Sequence, residues 1–133
     1  MGRSNLNAIL AGVLALGLAG CQSLSEVDST ASSSPTYQGF VGQNAIATGT
    51  KHYAAGNFGL AEKSFRAAVE ATPANSRAWL GLAAAYDQLG RYELADRAYA
   101  HLLKQEGRKA SILNNYAYSY ILRGDMNKAR PLL

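Results

Sequence analysis

From about residue 42 onward, apolar and polar residues alternate with the period of an amphipathic helix. Two stripes show the pattern: Trp79, Leu82, Ala83 and Tyr86 stand at i, i+3, i+4 and i+7, and Tyr92, Ala95, Tyr99 and Leu102 follow one another at intervals of three or four residues. Gly90 stands between them and suits a helix end, because glycine readily adopts the left-handed conformation. The spacing predicts helices over residues 42–55, 58–71, 76–89, 92–105 and 110–123, and a sixth from near Asp125. Pro131 lies in the sixth helix and should kink or fray it.

The helical pattern repeats itself every 34 residues. A shift of this length superimposes residues of similar type in six columns: Gly56, Gly90 and Gly124; Ala61, Ala95 and Ala129; Phe58, Tyr92 and Met126; Phe65, Tyr99 and Leu133; His52, Tyr86 and Tyr120; Gly49, Ala83 and Ala117. Ala45, Trp79 and Leu113 form a seventh column, which opens each unit. Small residues let neighbouring helices approach closely, and large aromatic residues fill the space beside them. A repeat of this length predicts an array of helical hairpins.

The middle copy of the repeat resembles the tetratricopeptide (TPR) consensus, and the resemblance covers residues 42 to 133. Pro73 ends the first unit as the consensus proline does, whereas Gly107 replaces that proline in the second unit. The resemblance implies an all-α fold: a short TPR solenoid of antiparallel helix hairpins, preceded by a lipoprotein signal helix and a disordered linker. The TPR domain is predicted at residues 41–133, with units at 42–75, 76–109 and, in part, 110–133.

The third unit lacks most of its second helix, and no polar capping helix follows it. Repeat arrays need about three units and a polar cap to be stable on their own. We therefore expect the sequence to be a fragment of a longer protein. The alternative is a partner that covers the apolar residues Met126, Ala129, Leu132 and Leu133.

The first twenty residues have the layout of a secretory signal. Arg3 supplies a positive charge, and the uncharged run from Ala8 to Gly20 is shorter than the roughly 20 apolar residues that span a bilayer. The run ends in Leu18-Ala19-Gly20-Cys21, which resembles the lipobox of bacterial lipoproteins. The resemblance implies cleavage before Cys21 and acylation of that residue, which anchors a protein durably through two or more acyl chains. The alternative is an ordinary cleaved signal that ends at a chance cysteine.

Residues 21–40 comprise the lipidated cysteine and a tether rich in serine and threonine. Such a segment has too little apolar surface to offset the entropy cost of ordering, so we expect disorder. Its mean reach as a flexible chain is roughly 20 Å. In lipoproteins kept at the inner membrane, the resemblance implies an aspartate directly after the cysteine. Because Gln22 stands there, we expect a lipid-anchored protein on the periplasmic face of the outer membrane.

From Gly42 onward the chain has twelve Lys or Arg residues against seven Asp or Glu residues, a net charge of +5. The two signs are interspersed, which is typical of solvated helix faces and argues against a nucleic-acid partner. The mild positive excess favours anionic surfaces such as lipid headgroups or acidic partner segments.

Candidate catalytic and metal-binding residues are few. The single cysteine excludes an intramolecular disulfide. His52 and His101 have no Cys or carboxylate at ligand spacing, so we expect no metal and no cofactor. Gly49-Thr50-Lys51 has the wrong order for a phosphate-binding loop. We interpret Asp87, Glu93 and Asp96 as surface charges, and expect neither an enzyme nor a small-molecule substrate.

Partner proteins should bind on the concave surface, which the first helix of each unit lines in this fold. The residues predicted to face it are Gln43, Ile46, Thr50, Tyr53, Arg77, Leu80, Ala84, Asp87, Ser111, Asn114, Tyr118 and Ile121. Among these, the candidate partner-binding residues are Tyr53, Arg77, Leu80, Asn114, Tyr118 and Ile121. The basic clamp with which related domains bind chaperone tails is missing, so a helix or extended peptide with apolar anchors is the expected ligand. Alternatively, Tyr118 and Ile121 pack on a neighbouring helix.

The third unit, from Ser111 to Arg130, resembles the TPR lipoproteins of tight-adherence (Flp) pilus assembly, the TadD family. The succession of lipobox, serine-rich tether and TPR units resembles that family too. The resemblance implies a role in placing or supporting the outer-membrane secretin, which would then be the partner. The alternative is a periplasmic adaptor that regulates cell-wall enzymes. A gene beside a secretin and a secretion ATPase would favour the first function, and capture of a peptidoglycan enzyme the second.

Overall fold

The computed structural model describes residues 35–133, and the predicted signal peptide, Cys21 and most of the tether lie outside this part. The described residues form six α-helices and a final 3-10 turn: α1 Pro35–Ala54, α2 Phe58–Ala71, α3 Ser76–Gln88, α4 Tyr92–Glu106, α5 Ala110–Leu122, α6 Met126–Ala129 and the 3-10 turn Arg130–Leu132. Of these helices, none is both long enough and apolar enough to cross a membrane.

Helices α2 to α5 lie within one residue of their predicted bounds, but α1 does not. It begins at Pro35 instead of residue 42, so the last six residues assigned to the tether are helical. Proline suits the first turn of a helix, because its fixed φ is already helical and its missing N–H has no partner there anyway. The density of serine ends just before Pro35, which is where the helix starts.

Three loops, each centred on a glycine, turn the chain in the same way. Gly56, Gly90 and Gly124 have φ angles of 74°, 67° and 75°, in the left-handed region that a Cβ disfavours. In each loop the residue after the glycine donates its N–H to a carbonyl five residues earlier, at 2.9 Å, as Arg91 does to Tyr86. This is the bonding of a Schellman helix end. The glycine column therefore has the role that the sequence predicts for it.

Alanine columns bring the helices together. Ala61, Ala95 and Ala129 are fully buried, as are Ala83 and Ala117 of the other small column. Successive helices run antiparallel and pack on their neighbours, and α1, α3 and α5 also contact one another in that order. Together these contacts place the first helices of the three units side by side on one surface of the array.

The last residues form less than a full second helix. Asp125 caps α6 by accepting a hydrogen bond from the Lys128 N–H at 3.1 Å. Pro131 falls in the 3-10 turn that ends the chain, where the α-helix was predicted to kink or fray. Ala129 is fully buried, whereas 45% of Met126 and 76% of Leu133 remain exposed.

Candidate partner-binding groove

A groove runs across α1, α3 and α5, and it contains a pocket of about 300 Å³. The pocket is lined by Thr50, Tyr53, Phe65, Arg77, Leu80, Gly81, Ala84 and Asn115. Aromatic and aliphatic groups make up most of this lining, and Arg77 contributes a cation. A second hollow of about 240 Å³ continues the groove towards the start of α5 and shares Arg77 and Leu80 with the first.

The floor of the pocket depends on two glycines. The ring of Phe65, on α2, lies against α1 at Gly49 and against α3 at Gly81. A Cβ at Gly81 would lie 2.4 Å from the ring, and one at Gly49 would lie 2.9 Å from it. Any side chain at Gly81 would therefore displace the ring or close the pocket. The groove is deep at this point because both helices lack a side chain where the ring inserts.

Three of the six candidate partner-binding residues, Tyr53, Arg77 and Leu80, line this one pocket. Tyr53 is half-buried, and its ring meets that of Phe58 edge to face, with centroids 5.3 Å apart. Burial raises the pKa of the Tyr53 hydroxyl, and the nearby Tyr118 raises it further, although a hydrogen bond with Gln88 opposes the shift.

The other three candidates lie on α5. Tyr118 is 50% exposed and Ile121 41% exposed, so apolar surface continues along this helix. Asn114 is exposed but does not line the pocket, where its neighbour Asn115 stands instead. The Asn115 amide donates to the Ser111 carbonyl of its own helix at 2.8 Å.

Two residues predicted to face the groove are buried. Ile46 is 2% exposed and belongs to the core, and Asp87 is 4% exposed. The prediction for both was wrong because α1, α3 and α5 pack closely enough to cover part of the concave face. Asp87 is also not the surface charge that its mixed-charge surroundings suggested.

Asp87 is the centre of a polar cluster that joins α3, α4 and α5. Its carboxylate accepts a hydrogen bond from the Tyr99 hydroxyl at 2.9 Å and another from the Ser119 hydroxyl. Arg123 lies 4.0 Å from Asp87 and binds Asp96 through two nitrogens, at 2.7 and 2.9 Å. Burial raises the pKa of Asp87, while the hydrogen bonds and Arg123 oppose the shift. Sequence reasoning missed this cluster.

Aromatic rings enclose the cluster on the side of α4 and α5. Tyr99 stacks on Tyr116 at 4.6 Å, and Tyr116 stacks on Tyr120 at 4.8 Å. The Arg123 guanidinium lies over the rings of Tyr92 and Tyr120, at 4.8 and 4.6 Å. Burial is the main cause of the raised pKa of the Tyr99 and Tyr116 hydroxyls, which therefore stay protonated. Tyr99 donates to Asp87, and Tyr116 accepts a hydrogen bond from the Tyr120 hydroxyl at 2.8 Å. The cluster is thus a fully bonded structural element.

The outer face of the array carries a third hollow of about 420 Å³, between α2, α3 and α4. Trp79 lines it, stacked on His101 with ring centroids 4.1 Å apart, and its indole N–H donates to the Pro73 carbonyl at 2.8 Å. Trp79 is only partly buried, so its predicted burial between the first two units was wrong. The buried residues of this helix are Ala78, Leu82, Ala83, Ala85, Tyr86 and Asp87.

No metal-binding arrangement is present within residues 35–133, where no group of three His, Cys, Asp or Glu side chains comes together. Glu62 pairs with Arg66 on its own helix and with Arg91 of the loop between α3 and α4, 3.2 Å away. This ion pair ties the first two units together on the outer face.

Residues 46–95 match the family model of the tetratricopeptide repeat. Among solved structures, the chain is similar to PilF of Pseudomonas aeruginosa, with a TM-score of 0.64 and 25% identity over 71% of this chain and 43% of that one. It is also similar to MamA of MSR-1, with a TM-score of 0.60 and 25% identity over 68% of this chain and 52% of that one. No curated protein matches the chain.

The described residues therefore form the all-α, TPR-type solenoid that the sequence predicts. The chain spans about half the length of the two structures it resembles, 43% and 52%. TPR proteins are typically scaffolds that bind protein partners rather than enzymes.

Proposed function

We propose that this TPR array is a non-enzymatic adaptor that holds a partner protein in the groove across α1, α3 and α5. The observation that carries the proposal is the pocket over Phe65, in which Tyr53, Arg77 and Leu80 converge. Apolar surface at the bottom of a concave site supplies binding energy, and a few polar groups at its rim set orientation and specificity. No cofactor or small-molecule substrate is part of this proposal.

The chemistry of the groove favours a helix or an extended segment with one large apolar anchor. The anchor would enter the pocket over the Phe65 ring, and a neighbouring acidic group would meet Arg77 at its rim. Tyr118 and Ile121 would cover the ligand from α5, because both side chains are largely exposed. Amphipathic helices bind in grooves in this way, with anchors one helical turn apart.

The system we propose is pilus assembly of the tight-adherence type, with the outer-membrane secretin as partner. Two similarities support it: that of the third unit to the TadD family, and that of the described array to PilF of Pseudomonas aeruginosa. An adaptor that regulates cell-wall enzymes would use the same groove, and it is the alternative that the experiment must separate.

For location, we propose a lipid anchor at Cys21 in the outer membrane, facing the periplasm. The support is the lipobox-like Leu18-Ala19-Gly20-Cys21 and the Gln22 that follows it. Cys21→Ser should abolish labelling by radioactive palmitate and cleavage of the signal. A Cys21→Ser protein that still took up palmitate and floated with outer membranes would contradict the anchor.

The partner can be identified by photo-crosslinking in intact cells. A crosslinking amino acid at Tyr118 reports on the groove, and the same amino acid at Leu60, 51% exposed at the start of α2, is the matched control. Recovery of a secretin at position 118 and not at 60 would support the proposal. Recovery of a peptidoglycan synthase or hydrolase would favour the alternative, and equal products at both positions would contradict a groove-bound partner.

A further inference from the structure

Helix α1 projects beyond the rest of the array at the end where the chain enters it. Gly42 lies against Thr72, just after the end of α2, since a Cβ at Gly42 would be 2.6 Å from the Thr72 hydroxyl. Residues 35–41 therefore precede the level at which α2 ends. At 1.5 Å per residue this overhang is about 10 Å long.

Two aromatic side chains on the overhang are largely exposed. Tyr37 is 48% exposed and Phe40 66% exposed. They are three residues apart, so they lie on the same face of the helix, one turn from each other. An exposed phenylalanine beside a tyrosine is unfavourable in water but suits the boundary between lipid headgroups and acyl chains, where amphipathic aromatic residues concentrate.

Basic residues gather at the same end of the array. Two hydrogen bonds join the ends of α3 and α4 there: Ser76 bonds Glu106, and the Gln105 amide donates to the Ala74 carbonyl at 2.7 Å. Three cations lie on these helix ends and the following loop: Arg77, Lys104 and Arg108. Within residues 35–133 none of the three forms an ion pair, and Glu106 is already neutralised by Lys109.

At the opposite end the cations of the loops are paired, although Lys51 in the last turn of α1 and Lys63 near the start of α2 form no ion pair within the described part of the chain. Arg91 pairs with Glu62, Arg123 with Asp96 and Lys128 with Asp125. The contrast gives the array one end with unpaired positive charge and projecting aromatic residues, and another whose loop charges are neutralised. Only the end that has both unpaired cations and projecting aromatic residues is therefore complementary to a flat anionic surface.

We propose that the overhang end of the array rests on an anionic membrane surface. Tyr37 and Phe40 enter the interfacial layer, and Lys104 and Arg108 face the headgroups, with Arg77 behind them. This inference rests on the proposed lipid anchor: only 13 residues separate Cys21 from Pro35, and each residue can span at most roughly 3.3–3.6 Å. The overhang also matches the depth of roughly 5–10 Å at which amphipathic helices bury their apolar face.

The consequence is a fixed orientation of the groove. The glycine loops at Gly56, Gly90 and Gly124 point away from the membrane, and α1, α3 and α5 stand upright on it. A ligand that lies across these three helices then runs parallel to the membrane plane. The attraction is electrostatic in part, and it acts over a Debye length of about 8 Å at physiological salt.

The test uses the full acylated chain in vesicles. Its one native cysteine, Cys21, carries the proposed anchor, so Phe40→Cys can be labelled alone with an environment-sensitive fluorophore. Leu60→Cys is the matched control, because Leu60 is 51% exposed and lies at the opposite end. Vesicles of phosphatidylethanolamine and phosphatidylglycerol provide the anionic surface, and phosphatidylcholine vesicles the neutral one.

We expect a blue shift of the label at position 40 in anionic vesicles, a smaller shift in neutral ones, and none at position 60. Each removed charge weakens surface attraction by about fivefold, so Lys104→Gln with Arg108→Gln should abolish most of the shift at position 40. Circular dichroism should show unchanged helicity in every variant.

Three results would overturn the inference, and they are distinguishable. Protein that floats with the vesicles while the label at position 40 stays in water removes the inference and leaves the anchor intact. Protein that fails to float removes the anchor and the inference with it. If the label at position 40 shifts to the blue without vesicles, and the shift grows with protein concentration, Tyr37 and Phe40 mediate self-association instead.

Discussion

The two junctions between successive units have the same geometry and different chemistry. Phe65 and Tyr99 are one repeat apart and occupy equivalent places, each inserted between the first helices of neighbouring units. At the first junction the ring meets Gly49 and Gly81 and lies against apolar neighbours. At the second, the Tyr99 hydroxyl donates to Asp87, and Ser119 and Arg123 complete a polar cluster.

The difference shows where the array can bind and where it is only held together. Two glycines leave the first junction open to the groove, so its Phe65 ring forms the floor of the pocket. Polar side chains fill the second junction, and within residues 35–133 every buried polar side-chain atom has a partner. A repeat fixes the places of the side chains, but the identity of each residue decides whether a junction binds a ligand or closes.

The largest expected effect is at the first junction. Phe65→Ala should destabilise the fold by about 3–5 kcal/mol, because the ring is 4% exposed and its removal leaves a cavity. Urea denaturation followed by circular dichroism measures this loss. Leu60→Ala on the same helix, at a largely exposed site, should change stability by less than about 0.5 kcal/mol. Equal costs for the two variants would show that the Phe65 ring does not hold the junction.

Trp79 offers an intermediate case. Because its indole is only partly buried and stacks on His101, Trp79→Ala should cost about 1–3 kcal/mol, less than Phe65→Ala. The same urea titration decides the order. If Trp79→Ala lowered the free energy of unfolding more than Phe65→Ala does, Trp79 would be a more central core residue than its partial burial indicates.

At the second junction, Tyr99→Phe removes one hydroxyl and keeps the ring. The buried carboxylate of Asp87 then loses a hydrogen bond, so we expect a loss of about 1–3 kcal/mol. Ser119→Ala should cost a similar amount, and the two changes together should not be additive, since both groups serve one carboxylate. Additive costs in a double-mutant cycle would mean that the cluster is not a coupled unit.

The smallest effects concern the pH dependence of stability, because folding shifts the pKa values of two carboxyl groups in opposite directions. The pKa of Asp87 is raised by burial, so its contribution to stability is fully present below its unfolded pKa and declines as pH rises through the folded value. Hydrogen bonding to Lys109, and then to Ser76, lowers the pKa of Glu106 to about 2. Its contribution is present above its unfolded pKa and is lost as pH falls towards 2.

Melting temperatures of Asp87→Asn and Glu106→Gln against pH separate the two. Relative to the unmodified chain, Asp87→Asn should gain stability as the pH rises above about 4. Glu106→Gln should be less stable than the unmodified chain at neutral pH, and this difference should shrink as the pH falls towards 2. If the melting temperatures of both variants changed with pH in the same way as that of the unmodified chain, the assigned directions of the two pKa shifts would be wrong.

The sequence predicts the parts of the fold that depend on the backbone. Gly56, Gly90 and Gly124 end helices because only glycine is comfortable at their φ angles. Ala61 and Ala95 are fully buried because only small residues fit between close helices. Every unit needs a glycine at the helix end and small residues between close helices, so these residues recur at the repeat spacing and can be recognised in a single sequence.

The polar cluster could not be predicted in the same way, because it uses residues that do not repeat. Asp87 shares a column with Tyr53 and Ile121, and its partner Ser119 lies 32 residues away, off the repeat spacing. One signal was available: Ser119 and Arg123 are four residues apart, hence on one face of α5. Helix α1 was predicted too short for a similar reason, since its first residues belong to no repeat column.

The groove claim is tested most directly by the affinity of the crosslinked partner for two single variants. Tyr118 lies on the groove and Arg97 on the outer hollow, and both changes to alanine should leave the helical signal intact. An aromatic anchor at the centre of an interface contributes about 2 kcal/mol or more. Tyr118→Ala should therefore weaken binding about thirtyfold or more, while Arg97→Ala leaves it nearly unchanged. Normal binding by Tyr118→Ala together with a loss in Arg97→Ala would place recognition on the outer face and contradict the account.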